Sequence, residues 1–222
     1  NRSVLSLCRK ATKQICYIRY KCLTDLQQIY DKLYDFFLFF GACGMMKKMS
    51  YGVFRNFKEV LQMEENRELT RAEIVEQDAK ECFKQGLNCS ECVMTAFLNH
   101  FDTGLPKEVV KLATGFGGGM GHTKNTCGAI TGAVMALSAI VGRENPAAKE
   151  TVGERITELQ QGIYPIVGKM VNEIKDEYGT LICSELSNPF GDFACKERKK
   201  NCMTMIMHCA NMAAKYAEEA QK

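Results

Sequence analysis

After residue 70, apolar positions recur at helical spacing along most of the chain, and no segment alternates as a strand would. Thr70-Arg71-Ala72-Glu73 has the form of a capping box, and Ile74, Val75, Ala79, Cys82 and Phe83 follow on one face, predicting a helix over about 71–84. Gly86 breaks it. Asn88-Cys89-Ser90-Glu91 reads as a second start, with Val93, Ala96, Phe97 and Phe101 on one face and Cys89 at the first helical position. Pro106 opens a short helix that runs into Gly115-Phe116-Gly117-Gly118-Gly119-Met120-Gly121, a loop with too much backbone freedom for a regular element. Thr126 is placed to cap the next helix, which begins at Cys127. Gly128 and Gly132, with Ala129, Ala133 and Ala136, give that helix a small-residue face and predict a central position with close backbone contact.

Further along, Asn145-Pro146 reads as a helix start, and Gly162 and Pro165 as interruptions. Ile166, Val167, Met170, Val171 and Ile174 then continue the helix to a stop at Gly179. Cys183-Ser184-Glu185-Leu186 is a turn or a short helix start. From Lys196 to Ala220, Cys202, Met205, Ile206, Cys209, Met212, Ala213 and Tyr216 share a stripe. The predicted class is all-α: a compact single-domain helical bundle with a glycine-rich interhelical loop.

Composition changes this picture at one end. Residues 1–44 contain no Met, Glu or Pro, whereas the remainder holds all twelve Met. The first stretch carries seven Lys and Arg against three Asp, so the formal charge of +3 belongs to it. Residues 1–44 therefore read as an N-terminal extension of atypical composition, outside the native domain; 45–69 as a linker or leading helix; and 70–220 as a cysteine-containing helical redox domain. The charge is too slight to imply nucleic-acid binding, and no basic stripe with interleaved aromatics appears. The apolar run from Phe36 to Cys43 is shorter than the ~20 residues a spanning helix needs, and Lys124 and Arg143 bracket the apolar Cys127–Val141. No integral membrane span is expected, and without an export signal a reducing cytoplasmic setting is.

Twelve cysteines in 222 residues, in that setting, argue for metal ligation or redox chemistry over a disulfide framework. A helix N-terminus favours the thiolate, and Cys89, Cys127 and Cys183 are all predicted at helix starts. Cys89-Ser90-Glu91-Cys92 is a Cys-x-x-Cys unit, but no strand precedes it as in a thioredoxin-like motif, and no second local pair follows as in a zinc ribbon. The glycine loop lacks both common nucleotide-binding patterns. The N–H groups of Gly117, Gly118, Gly119 and Gly121 can instead bond to cluster sulfurs or thiolates beside Cys127. His122 is a candidate outer donor, His100 and His208 read as ordinary histidines, and Met203, Met205 and Met207 as packing residues rather than copper ligands.

Asn88-Cys89-Ser90-Glu91, Ala113 through Gly121, Cys127-Gly128-Ala129-Ile130-Thr131-Gly132, Cys183-Ser184-Glu185-Leu186 and Cys202, in that order, resemble the redox-active C_GCAxxG_C_C family. The resemblance spans about residues 70–216 and extends to the non-haem domain of split-Soret cytochrome c. It implies four defining cysteines, Cys89, Cys127, Cys183 and Cys202, and an iron–sulfur site; Cys82, Cys92 and Cys209 are extra to its pattern. The leading expectation is electron transfer on an iron–sulfur cluster. The alternatives are a metal-free thiol–disulfide protein using Cys89, Cys92 or Cys127, and a helical module with structural zinc. The sequence names no redox partner, and a homodimer through the Met-rich last helix is one arrangement it allows.

Overall fold

The computed structural model describes residues 67–192 and 195–222. By its contacts the chain divides at Arg67 and Glu68, and the unit described here is Glu68–Lys222. The expectations for residues 1–44 and for most of 45–69 lie outside the described residues. Seven α-helices occur among the described residues: α1 (Arg71–Lys84), α2 (Cys89–His100), α3 (Gly128–Val141), α4 (Val152–Thr157), α5 (Tyr164–Tyr178), α6 (Cys183–Ser187) and α7 (Lys196–Ala220). The class is all-α.

The first two helices start where their caps dictate. Thr70 accepts from the Glu73 N–H while Glu73 reaches back to the Thr70 N–H, and Asn88 and Glu91 repeat the exchange at α2. Gly86, at φ +94, turns the chain between them. Asp78 of α1 holds α2 by accepting from Asn99 at 3.0 Å and lying 3.1 Å from the His100 ring nitrogen.

Helix α7 is the longest element, and α1, α2, α3 and α5 all pack on it. Ala72, Val75, Ala79 and Cys82 of α1 are buried, as are Met205, Ile206, Cys209, Met212 and Tyr216 of α7. The methionine face of α7 is thus largely used within the chain, with Met203 and Met207 half-buried. Helix α3 takes the expected inner position through its small residues. A Cβ on Gly132 would lie 3.0 Å from the backbone of Ser90, so α2 and α3 meet at backbone distance.

Two local expectations are refined and two are corrected. Residues 107–116 form a 3-10 helix rather than an α-helix, docked on α2 by the Ser90 hydroxyl donating to the Ala113 carbonyl at 2.7 Å. Asn145-Pro146 starts no helix: α4 begins after Thr151, whose capping box with Glu154 supplies the missing N–H partners. The interruption expected at Gly162 and Pro165 is a π-helical stretch, Glu158–Ile163, which carries the chain from α4 into α5 without a break. Finally, Cys127 is itself the N-cap residue of α3, and Thr126 instead forms an isolated antiparallel bridge with Ile182.

Candidate functional site

That bridge is the first step in assembling the site. Cys127 donates its N–H to the Leu181 carbonyl at 2.9 Å, and Cys183 donates to Asn125 at 2.6 Å. Two cysteines 56 positions apart are thereby set side by side at the starts of α3 and α6. Gly128 brings in the third: a Cβ there would lie 3.2 Å from Cys89 Cβ and 2.7 Å from the Phe116 carbonyl oxygen, so only glycine admits the start of α2. The fourth, Cys202, comes from the second turn of α7.

Cys89, Cys127, Cys183 and Cys202 line one cavity of about 20 Å³, room for roughly one water. Ala129, Leu186 and Met205 form its apolar wall, and Gly118, Ser187 and Asn201 complete it. Cys127 and Cys183 are buried, whereas Cys89 and Cys202 are half-buried, so that edge faces outward. Among the described residues, no three Cys, His, Asp or Glu side chains stand close enough as packed to hold a metal ion. A larger open groove of about 660 Å³ runs along α5 from Tyr164 to Asp176 and touches none of these cysteines.

The four thiols are not equivalent. Cys202 is lowered to about 7, first by a hydrogen bond from Cys89 and then, against burial, by the Arg198 guanidinium. Cys89 is correspondingly pushed well above the ordinary thiol range by the same bond, by burial and by Cys127. The two thiols therefore titrate as a pair, in which the first proton lost leaves a charge that the other thiol and Arg198 stabilise. Burial drives Cys127 up to about 11 even though it stands at the start of α3, where its side chain accepts no capping hydrogen bond and the Ile130 N–H bonds to its carbonyl oxygen instead. Burial also raises Cys183, with Cys202 adding to it and Arg198 and Ser187 opposing. Helix starts therefore do not depress these thiols as their positions suggested, because desolvation outweighs the terminal N–H groups.

The glycine segment serves the site by close approach. Gly118 donates its N–H to Cys89, and a Cβ on Gly119 would lie 2.8 Å from Cys183 Cβ. Gly117 packs on the Asn88 cap, where a Cβ would stand 2.7 Å from Cγ. Gly121 has no such neighbour; it takes φ +62 within a left-handed turn that also holds Met120, His122 and Lys124 at positive φ. His122 is exposed on this turn and does not line the cavity. His208 is buried in α7, edge-on to Tyr178, and burial holds it at about 4, so its 3.4 Å approach to Glu177 is not an ion pair at neutral pH.

The extra cysteines lie elsewhere. Cys92 is wholly buried beneath α2 and donates to the Leu87 carbonyl at 3.4 Å, while the Cys82 thiol faces Asp78 and Cys209 sits in the core. Cys92 therefore is not the partner of Cys89 that the Cys-x-x-Cys spacing offered. Sequence reading missed Arg198, which is only 2% exposed and donates to the Ser187 hydroxyl at 2.7 Å. Two signals pointed to it: it stands one turn before Cys202, and a cation in the first turn of a helix opposes the macrodipole and so needs another partner.

An all-α domain that gathers four thiols into one apolar pocket beside a buried arginine has the makings of a redox centre. The chain belongs to the family described as "Putative redox-active protein (C_GCAxxG_C_C)", whose model matches residues 87–216. No match was found among curated proteins or among solved structures.

Proposed function

We propose that this protein carries electrons on an iron–sulfur cluster held by Cys89, Cys127, Cys183 and Cys202. The observation that carries this reading is the meeting of these four cysteines, from four separate elements, around one apolar cavity. Four sulfurs with no competing oxygen or nitrogen ligand suit a thiolate-bound cluster, and such a group would supply reversible one-electron chemistry. The Gly118 N–H offers a bond to a ligand sulfur, and Arg198 offers positive charge against four thiolates. Leu186 and Met205 keep water from the inner face. The cavity as packed has room for about one water, so loading requires Cys89 and Cys202 to part.

A second reading is favoured by Cys89 and Cys202 sharing the half-buried edge of the cavity, where the two thiols shift one another in opposite directions. Anaerobic purification with iron and sulfide assays and visible absorption separates the two. Iron, sulfide and charge-transfer bands are expected, and each should vanish on replacing Cys127 or Cys183 by Ser but survive Cys92→Ser. Iron-free protein that forms a Cys89–Cys202 disulfide would favour the second reading; one tightly held zinc would replace both with a structural role.

A further inference from the structure

Arg198 is a charged side chain buried at the sulfur cavity. Its Nη2 donates to the Ser187 hydroxyl at 2.7 Å, and Ser187 in turn donates to the Cys183 carbonyl, one turn back on α6. The guanidinium charge also favours the thiolates of Cys183 and Cys202, the latter one turn further along α7. A buried cation is tolerated only where negative charge and hydrogen bonds compensate it, and here the Ser187 hydroxyl and the thiols of the pocket contribute to that compensation. Its position in the first turn of α7, where the macrodipole disfavours a cation, gives no independent reason for it.

We propose that Arg198 is a positioning residue of the four-cysteine centre: its guanidinium, clamped by Ser187, holds positive charge against Cys183 and Cys202 and raises the centre's reduction potential. This rests on the reading that these cysteines form a redox centre, and it has the same sign for either form of that centre. Reducing a cluster adds one electron, and hence one negative charge, beside Arg198. Reducing a Cys89–Cys202 disulfide takes two electrons and one proton to leave one thiol and one thiolate. With dithiothreitol as donor, its two thiols close to a disulfide and release the second proton. In both cases Arg198 stabilises the reduced product more than the oxidised one.

The test is a reduction-potential titration of the full chain, with iron and sulfide content measured on the same samples. Arg198→Gln is expected to lower the reduction equilibrium constant at least tenfold, since hydrogen bonds to charged groups are worth about 1.5 kcal/mol or more. That is a shift of about 59 mV for a one-electron cluster or about 30 mV for the two-electron disulfide. Arg198→Lys keeps the charge and should stay within about threefold of the wild type, while Ser187→Ala, which loosens the clamp only, should fall between the two. Unchanged potential in Arg198→Gln, or equal shifts in the Gln and Lys variants, would overturn the proposal. Iron-free wild type with a titratable disulfide would defeat the cluster reading alone, leaving Arg198 to be judged on the disulfide. A wild type with neither centre would defeat both.

Discussion

Glu76 of α1 and Asn211 of α7 face one another in the interior, with the Asn211 amide donating to the carboxylate at 2.9 Å. Burial nevertheless holds the Glu76 carboxyl up at about 7, against an ordinary value of 4.5. Between those two pH values the folded protein keeps a proton that the unfolded chain has released. Stability from this group therefore falls as pH rises through the window, and the loss is complete above it. Glu76→Gln removes the penalty, and its amide can donate to Asn211 Oδ1, a buried acceptor with no hydrogen-bond partner. Urea denaturation should find the variant more stable than the wild type by about 1–3 kcal/mol at pH 8 and equal to it at pH 4. His208 has the opposite sign: its folded value of about 4 lies below 6.5, so stability is lost as pH falls through that range, and Glu76→Gln should expose this limb alone. Residue identity alone does not reveal such groups. A Glu on a helix reads as solvated, and only burial by a second helix makes it an acid held neutral.

Among the elements, α3 shows how small residues set the site. Gly128→Ala would drive a Cβ to 2.7 Å from the Phe116 carbonyl oxygen and 3.2 Å from Cys89 Cβ, and Gly132→Ala would meet the Ser90 backbone at 3.0 Å. Each should cost about 1–3 kcal/mol in thermal or urea unfolding, and Gly128→Ala should also displace Cys89 and so lower the iron bound by the proposed cluster. Gly168→Ala on α5 has nothing within 4 Å of the added methyl and should stabilise by roughly 0.5–1 kcal/mol, a control for helix propensity. The small-residue spacing of α3 was legible because close packing demands it of the sequence. The start of α4 was legible too, in Thr151-Val152-Gly153-Glu154, but Asn145-Pro146 offered a competing signal upstream. The π-helical stretch before α5 was not legible, since it depends on how two helical turns share their hydrogen bonds.

At the scale of the molecule, the family match begins at residue 87, yet α1 lies before it and buries Ala72, Val75, Ala79 and Cys82 against the rest. A chain of residues 68–222 is expected to unfold cooperatively in urea followed by far-UV circular dichroism. A chain cut to 87–222 should lose several kcal/mol or fail to fold, because α7 would expose the face that α1 covers. Among the described residues no helix is long and apolar enough to cross a membrane, in keeping with the reading of Cys127–Val141 as a buried helix.

Periodicity, caps and small-residue spacing determined the helices, because those are local: a capping box or an apolar stripe acts within a few residues of itself. The order of motifs along the chain likewise carried the family, and with it the expectation that four cysteines act together. Only the tertiary structure decided that these cysteines share a pocket, that Cys202 rather than Cys92 faces Cys89, and that Arg198 lies buried beside them. Those relations join residues as much as 113 positions apart, through one β-bridge, one glycine contact and the packing of α7. Burial, which raises Cys127 and Cys183, and the pairing of Cys89 with Cys202 are properties of the assembled helices and of no single one.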